Sequence, residues 1–188
     1  MESGGESKPV MSDRTFVTGF GAFRDIADNP SAKLAGACGR PFQVLEVAYL
    51  AVDDFIAGLQ AASFDRLLML GIASGRDRMT PELFARNWIG KSKDMRGFGL
   101  EGRIEESAPL LLESTLWTPE IVSEIVAYDP HTRISMSAGD YLCNYISYRA
   151  LQRFPDKKVG FLHVPSEDKL PLDLQEPSLK KILEIIER

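Results

Sequence analysis

The sequence predicts an α/β fold: a single-domain, three-layer α/β/α sandwich with a largely parallel, mixed central sheet. Two observations predict it. Short apolar runs stop abruptly at turn signals, as buried strands do, at residues 15–18 before Gly19, at 66–70 before Gly71, and at Lys158–Val164 before Pro165. Between these runs lie stretches with apolar residues at helical spacing. Strands alternating with helices imply βαβ units and a parallel sheet, and such sheets place their sites at the carboxyl ends of the strands. Gly19-Phe20-Gly21, Gly71-Ile72-Ala73 and His163 all fall at such ends.

Taken in order, residues 1–13 are polar and Gly/Ser-rich and are expected to be a disordered lead-in, with Met11 an alternative start; residues 14–188 form the single domain. The first strand is the run 15–18. A second is expected over residues 42–49, rich in Val, Leu and aromatic side chains. A helix is expected over residues 52–62, carrying Phe55, Ile56 and Leu59, and the third strand follows at 66–70. Residues 89–109, with Lys91, Lys93, Arg96, Gly97, Gly99, Gly102 and Arg103, show little periodicity. They are expected to form a long mobile loop of the kind that serves as a lid or binding segment. Thr118 before Pro119 is an N-cap followed by a proline at the first helical position, opening a helix at Pro119–Tyr128. Further helices are expected over residues 141–154 and 178–186, flanking the fourth strand at Lys158–Val164.

Composition narrows the function. With 22 basic and 27 acidic side chains the net charge is −5, and no basic stripe runs along the chain, which argues against a nucleic-acid or acidic-membrane partner. No apolar run approaches the roughly 20 residues that span a bilayer, and the N-terminus lacks the pattern of a signal peptide. Two cysteines, Cys38 and Cys143, form no disulfide framework and no CxxC spacing for a metal. The expectation is a cytoplasmic protein with reduced thiols, without metal or organic cofactor.

The chemistry-bearing residues are few. With two cysteines and two histidines, a Cys/His nucleophilic pair has few ways to be built. If Asp140 or Gly139 caps the helix that follows, Cys143 sits in its first turn, where free N–H groups and the helix dipole favour a thiolate. A negative Asp140 nearby would work the other way, and an inert core thiol is the competing reading. His163 closes an apolar strand and is favoured as base over His131, which sits in the turn-like stretch 129–133. A third group must hold the imidazole in its tautomer. Among the acidic residues Glu82, just after the third strand, is permissively placed without being singled out. The Gly19-Phe20-Gly21-Ala22-Phe23 turn lacks the third glycine of a dinucleotide fingerprint, since Arg24 stands there. Phe20 and Phe23 form either an apolar slot for a flat group or plain core.

Four blocks together resemble the pyroglutamyl peptidase I (pyrrolidone-carboxylate peptidase) family. They are residues 16–23 with Asn29-Pro30-Ser31; Gly71-Ile72-Ala73-Ser74-Gly75-Arg76 with Thr80-Pro81-Glu82 and Asn87; Ser137-Ala138-Gly139 with Cys143-Asn144 and Tyr148; and residues 160–165 around His163. They occur in the family's order. The resemblance implies a cysteine exopeptidase that removes an N-terminal pyroglutamate, with Cys143 as nucleophile, His163 as base and then acid, and Glu82 orienting the imidazole. It implies that Phe20 and Phe23 sandwich the lactam ring, with Gly71 and Ile72 beside it. The partner is then a peptide with a blocked N-terminus, and a homo-oligomer, dimer or tetramer, is allowed.

The chain departs from the family pattern at Ile72, where glutamine is usual, at Ser92, where arginine is usual, at Asp140, commonly threonine, and around Leu83–Arg86 and Ser166–Asp168. Lys91, Lys93 or Arg96 are the basic residues near the place of the missing arginine. These departures keep two alternatives in view: a homologue that binds small molecules or peptides without efficient turnover, and an amidase for another N-acyl or lactam group.

Overall fold

The computed structural model describes residues 14–188; the predicted lead-in, residues 1–13, lies outside them. Along the chain the elements run β1 (Thr15–Phe20), α1 (Pro30–Ala37), β2 (Phe42–Leu45), α2 (Tyr49–Gly58), β3 (Arg66–Ile72), β4 (Thr80–Glu82), β5 (Phe84–Arg86), β6 (Leu111–Glu113), α3 (Pro119–Tyr128), α4 (Leu142–Arg153), β7 (Lys158–Val164) and α5 (Leu172–Ile186). Five strands pair in the order β2-β1-β3-β7-β4, all parallel except β4, which runs antiparallel to β7. β5 and β6 form a separate antiparallel ribbon.

The central strands β3 and β7 are covered on both faces, which is why they read as continuous apolar runs. Their side chains alternate between two cores. Leu67, Met69, Val159 and Phe161 pack with Val52, Phe55, Ile146 and Tyr148 of α2 and α4. Leu68, Leu70, Leu162 and Val164 pack with Leu34, Ile125, Ile182 and Ile186 of α1, α3 and α5. The result is the expected three-layer sandwich with a mixed, largely parallel sheet.

Several boundaries differ from expectation, each for a tertiary reason. α1 was not apparent because its residues are small and its apolar stripe is short. It is nucleated by Asn29, whose side chain accepts from Ser31 N–H, followed by Pro30 at its first position. It crowds β1 so closely that a Cβ on Gly19 would collide with the Ser31 carbonyl oxygen. β2 ends at Leu45 and not at residue 49, because Tyr49 opens α2. The Tyr49 N–H is taken by Asp94 Oδ2 at 3.1 Å, a cap delivered from 45 residues away. α5 begins at Leu172, before the expected start at 178, and accommodates Pro177 within it. Its packed stripe of Leu179, Ile182, Leu183 and Ile186 outweighs the one backbone hydrogen bond a proline removes.

Residues 87–110 contain no helix or strand, as expected, yet they do not form a free loop. Asn87 Nδ2 donates to the Glu105 and Ala108 carbonyls, and its Oδ1 accepts from Ile104 and Glu105 N–H. Asp94 Oδ1 accepts from Arg96 and Phe98 N–H. These two buried polar side chains fold the strap on itself, and Asp94, through Oδ2 and the Tyr49 N–H, also ties it to the body.

Candidate active site

The alternation of side chains along the strands positions the site. Leu67 and Met69 face α4, so Gly71 faces it too; Val159 and Phe161 do the same, so His163 follows. In the sheet register Gly71 pairs with His163, Thr80 with His163, and Glu82 with Phe161. Cys143, the second residue of α4, arrives on this face. A Cβ on Gly71 would lie 2.9 Å from Cys143 Sγ and 2.6 Å from Phe161 Cζ. Only glycine leaves that space to the thiol. Cys143 and His163 therefore flank one backbone position.

His163 Nδ1 lies 2.6 Å from Glu82 Oε1, and the Glu82 side chain is 1% exposed. A carboxylate only accepts hydrogen bonds, so Nδ1 carries the proton and Nε2 keeps its lone pair. Burial lowers the imidazole's pKa below its ordinary value by more than Glu82 raises it, and the nearby Arg76 charge lowers it further. Burial pushes the Glu82 carboxyl upward, but its bond to His163 and the charges of His163 and Arg76 outweigh this and hold it below the usual range. At neutral pH the resting pair is an ionised carboxylate and a neutral imidazole poised as a base.

Arg76 is the residue that the sequence reading quoted without giving it a role. Its Nη1 donates to Glu82 Oε1 and to Thr80 Oγ1, and its Nη2 to the Ser137 carbonyl at 3.3 Å. The signal that could have found it is its place at the end of the glycine turn after β3, six residues before Glu82.

Burial and the Glu82 charge push the Cys143 thiol up to about 12, with Arg76 acting to lower it. The resting sulfur is thus a thiol, and a base must take its proton for it to attack. Asp140 is not the cap that the sequence suggested. Tyr141 is the N-cap residue, with no side-chain cap bond, and the Asp140 carbonyl accepts from Gly90 N–H while its carboxylate crowds Gly90. The N–H groups of Leu142, Cys143 and Asn144 make no hydrogen bond among the described residues and point out of the helix start. Asn144 anchors this turn by accepting from Arg86 N–H and donating to the Arg86 and Trp88 carbonyls.

Beside the sulfur is a cavity of about 60 Å³ walled by Phe20, Phe23, Val47, Ile72, Tyr141 and Cys143, with Asn29 also on its lining. The three predicted slot residues Phe20, Phe23 and Ile72 meet there, and Gly71 lies behind the thiol. Asn29, Val47, Tyr141 and Leu142 were missed as lining: Val47 lies just past the end of β2 and Tyr141 at the N-cap of α4, where the way the elements meet, and not a period along the chain, brings them to the cavity. Lys91, Lys93 and Arg96 do not reach the sulfur: Lys91 pairs with Glu101 and Arg96 with Glu46. Lys93 contributes only its carbonyl, which accepts from Tyr141 OH at 3.0 Å. His131 lies elsewhere, on a groove with Tyr128 and Lys181. A wider groove of about 790 Å³ between α1 and α5 holds the other thiol, Cys38, with no histidine on its lining. Among the described residues no group of His, Cys, Asp and Glu is placed to hold a metal ion, and no helix is long and apolar enough to cross a membrane.

Comparison with known proteins shows the family of the chain. The family model described as pyroglutamyl peptidase matches residues 13–184. A pyrrolidone-carboxylate peptidase of Oceanobacillus iheyensis is 30% identical over 179 residues, covering 88% of this chain and 90% of its own. Among solved structures, the pyrrolidone carboxyl peptidase of Thermus thermophilus is 31% identical with a TM-score of 0.78, covering 90% of this chain and 98% of its own. That of Thermococcus litoralis is 25% identical with a TM-score of 0.82, covering 92% of each chain. With a family model matched from residue 13 to residue 184 and similarity running through nearly the whole chain, this protein belongs to the pyroglutamyl peptidase family of cysteine peptidases.

Proposed function

We propose that this protein removes an N-terminal pyroglutamyl (5-oxoproline) residue from peptides, with Cys143 as nucleophile, His163 as general base and then general acid, and Glu82 as the residue that orients the imidazole. The observation that carries this reading is the 2.6 Å contact between His163 Nδ1 and Glu82, next to a thiol that shares the Gly71 position with His163. The pyroglutamyl ring is small, flat and uncharged, which suits an apolar cavity between Phe20, Phe23 and Ile72. Its polar edges still need partners, since an unpaired amide is costly to bury. Asn29 supplies one: its Nδ2 donates to the Gly21 carbonyl at 2.9 Å and retains a second N–H.

In the first step His163 Nε2 takes the thiol proton and Cys143 Sγ bonds to the pyroglutamyl carbonyl carbon. The charge that develops on the carbonyl oxygen falls to the unpaired N–H groups at the start of α4. The C–N bond then breaks, His163 gives its proton to the leaving amine, and a thioester remains. Water, deprotonated by His163, adds to the thioester and releases pyroglutamate and the free thiol. The peptide with a blocked N-terminus is the partner this reading requires. Both described cysteines are free, which supports a reducing compartment such as the cytoplasm. A homo-oligomer has a face available in Phe42 and Val44, exposed on the edge strand β2.

The test is release of a fluorophore from a pyroglutamyl amide. Wild type is expected to turn it over, and Cys143→Ala to lose at least about 10⁴-fold in kcat. Folded wild type without turnover would overturn the pyroglutamyl assignment. The apolar wall at Ile72 favours one second reading, an amidase for another small acyl or lactam group, so a panel of such amides belongs in the same assay.

A further inference from the structure

We propose that Arg76 is a positioning residue for this chemistry: its guanidinium locks the Glu82 carboxylate against His163 and sets the charge balance of the Cys143–His163 couple. One side chain joins three segments of the site. Nη1 bonds the same Glu82 oxygen that His163 Nδ1 faces, together with Thr80 Oγ1 at the start of β4, and Nη2 holds the Ser137 carbonyl on the segment leading into α4. A planar fork can hold these acceptors at once; a lysine ammonium, a compact point charge on a flexible stem, cannot reproduce that geometry.

The burial of the partners makes the contact consequential. Glu82 is 1% exposed and His163 7% exposed at the side chain, so a carboxylate deprived of its cation there would lose its fixed position, and the imidazole would lose its orienting acceptor. Arg76 itself is 26% exposed, so its place is open to small solutes. The charged and titratable groups that face His163 are Glu82 from β4 and Arg76 from the β3–β4 connection, with the Cys143 thiol from α4 beyond Gly71. Arg76 acts to lower the pKa of both members of the couple, so its loss moves both upward.

The experiment is the rate of Cys143 alkylation by iodoacetamide at neutral pH in wild type, Arg76→Gln and Arg76→Lys, with Cys38 as the internal control, alongside kcat and KM on a pyroglutamyl amide. Arg76→Gln is expected to slow Cys143 alkylation about 10-fold with Cys38 unchanged and to lower kcat about 10²-fold with KM little changed. Arg76→Lys keeps the charge and is expected to leave the alkylation rate near wild type while kcat still falls. Guanidinium chloride at non-denaturing concentration is expected to return part of the Arg76→Gln activity. An unchanged Cys143 alkylation rate in Arg76→Gln overturns the inference. Should Arg76→Gln not fold, shown by Cys143 and Cys38 alkylating alike, a wild-type kcat in Arg76→Lys overturns it instead. The turnover readout rests on the peptidase reading, but alkylation needs no substrate. A slowed alkylation in a protein inactive on pyroglutamyl amides supports the role of Arg76 and overturns only the substrate.

Discussion

Cys143 and Cys38 are a matched pair within one molecule. Both are partly buried free thiols, burial raises the pKa of both, and each lies near an arginine that is already paired with a glutamate. Arg40 holds Glu187 beside Cys38, as Arg76 holds Glu82 beside Cys143. Two differences separate them. Cys38 is the C-cap of α1, at the negative end of a helix with its own carbonyls around it, whereas Cys143 is the second residue of α4, beneath unpaired N–H groups. And only Cys143 lies against a strand position, Gly71, whose neighbour in the sheet register is a histidine, His163. A nearby cation and burial are common to both thiols, so the proposed nucleophilic role of Cys143 rests on the neighbouring imidazole and the helix end.

Removing the His163 imidazole takes away what distinguishes the surroundings of the two thiols. His163→Gln should lower kcat by about 10³- to 10⁴-fold and bring alkylation of Cys143 down toward the rate of Cys38 at neutral pH. If the two thiols keep distinct reactivities without the imidazole, the helix end alone sets the difference. The same variant sharpens a stability test. The folded-state pKa of His163 lies below its ordinary 6.5, so the unfolded chain binds the proton more readily and stability falls as pH drops from about 6.5 toward the folded value. Glu82, also lowered, contributes stability that is present above its ordinary 4.5 and is lost as pH falls through its folded value. A Tm profile should therefore show two acid steps, and His163→Gln should erase the one that begins near pH 6.5.

Next in size is Gly71→Ala. The added methyl meets the thiol at 2.9 Å and the Phe161 ring at 2.6 Å, so Cys143 must move. A displaced nucleophile costs about 10²-fold in kcat, and overpacking against Phe161 destabilises by about 1–3 kcal/mol. Unchanged kinetics would mean that the thiol does not react from the position seen beside Gly71.

What was legible in advance follows the same division. β1, β3 and β7 were visible as apolar runs because they are buried along nearly their whole length, and the helix carrying Cys143 through its helical stripe; β2, with three of its four residues exposed, showed only its β-forming composition. Cys143, His163 and Glu82 came out as a set through family resemblance, since local patterning left Glu82 as one acidic residue among many. The features that were missed depend on distant partners. Asp94 caps α2 from within the strap, Asn87 holds the far end of that strap, and Arg76 meets Glu82 only after β4 reverses against β7. Asp140 looked like a cap because it precedes the helix, but Gly90 claims it. In each case the deciding atom lies on another element, where no window along the chain can see it.

The smallest expected effect completes the comparison from the other side. Cys38→Ser keeps the volume and a hydrogen-bonding group at the C-cap of α1, where Sγ makes only a 3.9 Å contact to the Arg40 carbonyl. The Arg40–Glu187 pair beside it does not depend on the sulfur. Stability should change by no more than about 0.5 kcal/mol, and kcat and KM on a pyroglutamyl amide should match wild type. The informative readout is then thiol stoichiometry: with Cys38 gone, one equivalent of iodoacetamide should abolish turnover at the rate at which Cys143 is labelled. Residual activity after full labelling would place the reacting group outside Cys143, and with it would go the contrast between the two helix ends on which this reading of the site depends.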